Sequence, residues 1–259
     1  MRGDITVCIG TVGYPTFKRC HLLVKKIAKK DNRIKKVVVI ENKYPHSEYL
    51  NEMRKVGTET TWCLQVDEDM YLNDIAIDSL IDLARIKHNR DSVKILNASG
   101  LLFDLFLRTN VGSLKLWSSK ALRDLEFRNV VGSDRDFARR AKKLGYRNVE
   151  TKLVLGKHDS APSKEIAYFK YYDRNVKSIN FNNHKKKAKS FTRFLKKKFL
   201  RDRSLISLYA YAGAEFALTG YNLPVGAEES NNIYRDYRDQ VLTKELECKI
   251  NKLRKEIIK

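Results

Sequence analysis

Three short β-branched runs set the fold class of this 259-residue chain. Ile5-Thr-Val-Cys-Ile-Gly10, Lys36-Val-Val-Val-Ile-Glu41-Asn42 and Trp62-Cys-Leu-Gln-Val-Asp67 are each largely apolar and each stop on polar or small residues. Segments of helical period separate them: Leu22, Leu23, Ile27 and Ala28 recur with lysines in between, and a shorter helix is expected over Glu48 to Lys55. A further helix from about Asn73 to His88 carries Ile75, Ile77, Leu80, Ile81 and Leu83, and Ser92 to Asn97 reads as a fourth strand. Strands alternating with helices predict an α/β domain, a mainly parallel sheet flanked by helices that binds ligands at the carboxyl ends of its strands. Thr11, Glu41, Asn42, Asp67 and Asp69 all fall at such ends.

The third strand runs straight into Asp67-Glu68-Asp69. Mg²⁺ is commonly held by one or two carboxylates together with substrate phosphates, so this triplet points to a metal-bound diphosphate. An acidic turn after a buried strand is the simpler alternative. A second acidic segment follows at Gly132-Ser133-Asp134-Arg135-Asp136, opening a helix that ends near Gly145-Tyr146. Ser133-x-x-Asp136 has the spacing of a capping box, in which the later side chain reaches back to the N-cap amide. Residues two apart on a helix do not share a face, so Asp134 is expected to face substrate and Asp136 the backbone.

These segments resemble the GT-A-fold glycosyltransferases, family 2 above all, over roughly residues 4–160. The resemblance implies a Rossmann-like nucleotide-sugar-binding and catalytic domain over 1–160, with Asp67 beside the ribose and Asp69 holding Mn²⁺ or Mg²⁺ against the donor diphosphate. Thr11, Glu41 and Asn42 take the positions that commonly contact base and ribose, although Gly10-Thr11-Val12-Gly13-Tyr14 replaces the family's usual opening. Gly132 to Tyr146 looks like the segment that supplies the general base of inverting enzymes, which makes Asp134 the base; Ser133 stands where a Glu is usual. His158 ends the strand-like run Asn148 to Lys157, where several relatives place a metal-binding histidine, but a lone histidine also reads as an ordinary surface residue. Gly112 to Ser118 looks like the segment beside donor sugar and acceptor, bringing in Lys115 and Trp117 as donor contacts. Trp117 either stacks on a sugar face or packs in the core. The family's Gln-x-x-Arg-Trp motif of polymerising members is absent, which implies transfer of a single sugar. Uridine diphosphate is the default carrier, and the acceptor is a glycan or a lipid-linked molecule.

The net charge is +21, from 52 basic and 31 acidic residues, and it peaks between Lys185 and Arg203, where ten Lys or Arg accompany a single acid. Phe191, Phe194, Leu195, Phe199 and Leu200 recur there at three- and four-residue spacing. The segment reads equally as a helix lying on an anionic membrane surface and as a helix packed on the protein with a solvated lysine face. Residues 161–259 are thus expected to form a basic, mainly helical region, with an apolar stretch over Leu205 to Gly213, a turn at Gly220 to Gly226 and a last helix from about Asn232. The stripe Val241, Leu242, Leu246, Ile250, Leu253 and Ile257 on that helix suits an intramolecular partner or a second copy. Cys8 and Cys63 read as buried thiols and no disulfide framework is indicated. With neither a signal peptide nor a bilayer-length apolar run expected, the placement is cytoplasmic, with the inner membrane face as a candidate surface. Two other classes fit less well. A nucleotidyltransferase needs a longer glycine-rich loop than Gly10 to Gly13, and a nucleic-acid-binding or two-metal nuclease protein, argued from charge and the four aspartates, lacks a recognition motif.

Overall fold

The computed structural model describes residues 4–91, 93–130, 132–180, 184–220 and 242–258. The chain divides into two compact units, Met1–Ser160 and Ala161–Lys259. The first holds β1 (Ile5–Thr11), α1 (Phe17–Lys30), β2 (Ile34–Glu41), α2 (His46–Gly57), β3 (Trp62–Asp67), β4 (Met70–Leu72), α3 (Ala76–Asp91), β5 (Lys94–Asp104), β6 (Thr109–Ser118), α4 (Ser119–Asp124), α5 (Ser133–Lys143) and β7 (Tyr146–His158).

The seven strands form one sheet in the order β2-β1-β3-β6-β5-β7-β4. Successive β residues point to opposite faces, so Ile5, Val7 and Ile9 enter one core with Cys20 and Val24 of α1 and Leu80 and Ile81 of α3. Cys8 turns the other way and joins Leu50 and Met53 of α2, Leu122 of α4 and Phe137 of α5. A strand buried on both faces has to be apolar throughout, which is why β1 and β3 read as continuous runs. The Cys8 and Cys63 thiols meet in the second core with sulfurs 3.6 Å apart.

The α/β class is as expected, but the sheet is evenly mixed. β1 pairs in parallel with β2 and β3, and β5 with β7, whereas β3–β6, β5–β6 and β4–β7 are antiparallel. The reason is a hairpin. Asp104 accepts from the amides of Phe106 (3.0 Å) and Leu107 (2.6 Å), and this turn sends the chain back as β6 between β5 and β3. The fourth strand therefore runs on to Asp104, and Gly112 to Ser118 is strand as well.

Two glycines allow the close approaches on which the ligand end of the sheet depends. A Cβ on Gly10 would sit 2.5 Å from the Tyr49 ring, and one on Gly156 would sit 2.4 Å from the Tyr71 carbonyl oxygen. Gly156 thereby lets β7 lie against short β4 with Met70 opposite His158.

The second unit comprises α6 (Lys164–Asn180), α7 (Lys185–Asp202), α8 (Leu205–Thr219) and α9 (Lys244–Ile258). Its core joins Tyr168, Phe199, Leu208, Ala212, Leu246 and Ile250, so the α9 stripe has an intramolecular partner. The last helix starts at Lys244. The turn from Tyr221 to Gly226 and the stretch from Asn232 to Val241 lie outside the described residues.

Candidate active site

Glu68, the middle residue of the acidic triplet, turns inward. It is 5% exposed and accepts from the Thr11 hydroxyl (2.5 Å) and from the Val12 (2.9 Å) and Tyr14 (2.7 Å) amides. Its carboxylate ties the β1 loop to the end of β3. The Thr11 hydroxyl is engaged here too, accepting from the Gly13 amide at 2.9 Å, so Thr11 shapes the loop. Glu41 and Asn42 stand exposed at the end of β2, where the Asn42 amide donates to the Thr11 carbonyl (3.0 Å) and its backbone adopts a positive φ of 52°.

Turning Glu68 inward leaves Asp67 and Asp69 beside the strand ends. Burial first, and then the neighbouring Asp69 charge, push the Asp67 carboxyl above the ordinary range. Asp159 is raised by the same two causes, and Cys20 is pushed up to about 12 by burial together with the charges of Asp69, Asp67 and Glu68. A cation among these carboxylates would offset their mutual repulsion.

Antiparallel pairing of β4 with β7 places His158 beside Asp69, with Nε2 3.1 Å from Oδ2. On its far side, Nδ1 lies 2.9 Å from Oδ2 of Asp104, which is 1% exposed. A buried carboxylate that accepts a hydrogen bond from Nδ1–H would leave the Nε2 lone pair for a metal, the usual outer-shell arrangement of a ligating histidine. Asp69 and His158 would be the two side chains to hold a divalent cation here, which would supply charge neutralisation to a bound diphosphate. Among the described residues, no group of three or more His, Cys, Asp or Glu is placed to hold a metal ion. Two protein ligands, with the remaining positions filled by diphosphate and water, is the open shell that Mg²⁺ and Mn²⁺ favour.

Asp104 touches His158, so if His158 holds a metal the substitution of Asp104 is expected to weaken its binding without unfolding the chain. Asp104→Asn keeps an oxygen for the turn amides and loses the charge, and a Mn²⁺ titration of melting temperature should show about 10- to 100-fold lower affinity. Unchanged affinity would remove Asp104 from the site.

The second acidic segment meets β6 through α5. Gln65 and Lys115 are opposite in the β3–β6 register, and Lys115 Nζ pairs with Oδ2 of Asp134 at 2.7 Å. Oδ1 of Asp134 accepts from the Arg135 amide at 2.9 Å. Burial tends to raise the Asp134 carboxyl, but the Lys115 charge and hydrogen bond, the Arg135 amide and His46 together hold it below the ordinary range. Asp136 does not cap the helix. It is bound by Arg139 (2.7 Å) and Arg140 (2.8 Å), and Gly132, with φ of 73°, is the N-cap. Three or four residues apart on one helix face, these arginines outcompete a distant amide.

Trp117 is corrected as a donor contact. It is 1% exposed and its ring packs edge-on against Phe127 and Phe137, out of reach of a sugar. Its Nε1 donates to Gln65 Oε1 (3.0 Å), and Gln65 Nε2 reaches Asp67 Oδ1 at 3.4 Å, so the indole steadies Asp67 through an amide. Sequence reasoning missed Asp104, Gln65 and the bracing role of Glu68. It also missed His46, the first residue of α2, which when protonated would favour the ionised forms of both Asp67 and Asp134. The available signal for Asp104 was an acid at the end of an apolar run; His46 follows Pro45 at a helix start.

No protein-family model matches the chain, and no curated protein sequence does. Similar solved structures include protein A197 from STIV, with 14% identity and a TM-score of 0.45 over 60% of this chain and 85% of that one. Another is residues 1–349 of TarS from S. aureus, with 14% identity and a TM-score of 0.41 over 83% of this chain and 81% of that one. A third is a glycosyltransferase involved in the glycosylation of the major capsid of PBCV-1, with 14% identity and a TM-score of 0.40 over 57% and 82%.

Proposed function

We propose that this chain is a metal-dependent inverting glycosyltransferase of the GT-A type, moving a single sugar from a nucleotide diphosphate donor to an acceptor hydroxyl. The observation that carries the reading is the Asp69–His158 pair, braced by buried Asp104 at the ligand end of an α/β sheet. Asp69 and His158 would hold Mn²⁺ or Mg²⁺, which when bound neutralises charge on the departing diphosphate. Asp67, steadied by Gln65, faces the nucleotide ribose, and Glu41 and Asn42 offer polar groups to the base. Asp134 takes the acceptor proton as the acceptor oxygen bonds to the anomeric carbon and the bond from that carbon to the diphosphate oxygen breaks, leaving a nucleoside diphosphate. A carboxylate has about four acceptor positions, so the bonds from Lys115 and the Arg135 amide leave room for the hydroxyl. A uridine diphosphate sugar is the donor to try first, with glycans and lipid-linked molecules as acceptors.

A two-metal nuclease is the weaker reading because cations already occupy its second carboxylate pair: Lys115 holds Asp134, and Arg139 and Arg140 hold Asp136. A melting-temperature screen of nucleoside diphosphates and their sugars, with and without Mn²⁺, tests the proposal. One nucleoside diphosphate at about 100 times its Kd should add about 2.7 kcal/mol of stability, and only with metal. Stabilisation by DNA alone, or by no nucleotide diphosphate, would overturn the reading.

A further inference from the structure

We infer that the outer face of α7 is an adsorption surface for anionic phospholipid headgroups. The helix uses its inner stripe for packing: Ala188, Thr192, Leu195 and Phe199 are buried within the helical unit. Packing and surface display therefore coexist on one helix. Lys186, Arg193, Lys197 and Arg201 recur at spacings of seven, four and four residues, which lines them up on the pole opposite that stripe. All four are exposed, and none has an ion pair among the described residues. The acid of the helix, Asp202, is taken by Lys198 at 3.1 Å.

Two large apolar side chains flank the cationic strip. Phe194 is 42% exposed and Leu200 37%. Six residues apart, they stand about 120° from each other around the axis, with the four cations in the arc between them. Leu205, which opens α8, is 56% exposed. A row of unpaired cations edged by apolar groups suits a plane of headgroups over acyl chains, where the charges stay at phosphate depth and the flanking groups leave water. A nucleic acid would satisfy the charges but has no use for exposed leucines, and its unstacked bases call for more aromatic plates than Phe194 alone. Because the inner stripe is committed to packing, only the flanking groups are free to insert. Adsorption is therefore mainly electrostatic and falls steeply with salt.

The test is sedimentation of the full chain with phosphatidylcholine vesicles, with and without phosphatidylglycerol, at low and physiological salt and with no nucleotide present. Binding should require the anionic lipid and weaken with salt. K186Q/R193Q/K197Q/R201Q should lower it by about tenfold or more, and Phe194→Ser should lower it less and leave its salt dependence in place. All substituted positions are exposed, and melting temperatures of the variants check the fold. No binding at either salt, equal binding to neutral vesicles, or full binding by the quadruple variant would overturn the inference, as would tight binding to single-stranded nucleic acid with none to vesicles. The assay is independent of donor binding, so its failure leaves the transferase reading where the nucleotide screen puts it.

Discussion

Asp69→Ala is expected to abolish sugar transfer and to remove the metal-dependent part of nucleotide binding while the chain stays folded. In the proposed mechanism Asp69 would be one of two protein ligands, and its loss would leave His158 alone to hold the cation that neutralises the leaving diphosphate. Removing it also takes one negative charge from beside Asp67 and Asp159. Turnover should fall to background, and the Mn²⁺-dependent rise in melting temperature with nucleoside diphosphate should disappear. A folded Asp69→Ala protein with full activity would end the metal-bridge argument.

The second large effect is expected at Asp134, the proposed base. Asp134→Asn should lower turnover by about 10²- to 10⁴-fold, with donor affinity nearly unchanged, because the loss acts on proton transfer and not on the diphosphate site. Asp136→Asn should keep most activity, since Asp136 is spent on Arg139 and Arg140. The pH dependence follows from Lys115. Despite burial, that ammonium holds Asp134 below the usual carboxylate range, so with Asp134 as the proposed base the acid limb of kcat/KM is expected to lie low. Lys115→Met removes the stabilising charge, and the limb should move to higher pH. Steady-state rates across pH with the three variants measure all of this. Reversed phenotypes for Asp134 and Asp136 would move the base to Asp136.

Much of the scaffold was legible because burial on both faces writes itself as apolar runs. β1, β2 and β3, and the helices between them, come straight from periodicity, and polar strand ends mark Glu41, Asn42, Asp67 and Asp69. The β5–β6 hairpin was hidden, since its turn is made by backbone amides on Asp104 and carries no glycine or proline signal. Trp117 and Asp136 show the limit for side chains. Sequence spacing names the residues that share a strand or a helix start; it cannot say whether an indole meets phenylalanines or a sugar, or whether an acid meets an amide or two arginines.

By itself the sequence determined the α/β class, the Asp-Glu-Asp turn, the helix-opening acids and the basic amphipathic helix, because each rests on neighbours within a few residues. Tertiary structure alone decided which partners each carboxylate meets. Glu68 turns in to brace the loop and Asp69 meets His158 from 89 positions later, because β4 pairs with β7. Asp104 then orients that histidine from a third strand, and Lys115 comes across from β6 to hold Asp134. Those assignments depend on strand order and register, and sheet pairing joins residues whose separation along the chain leaves no periodic trace.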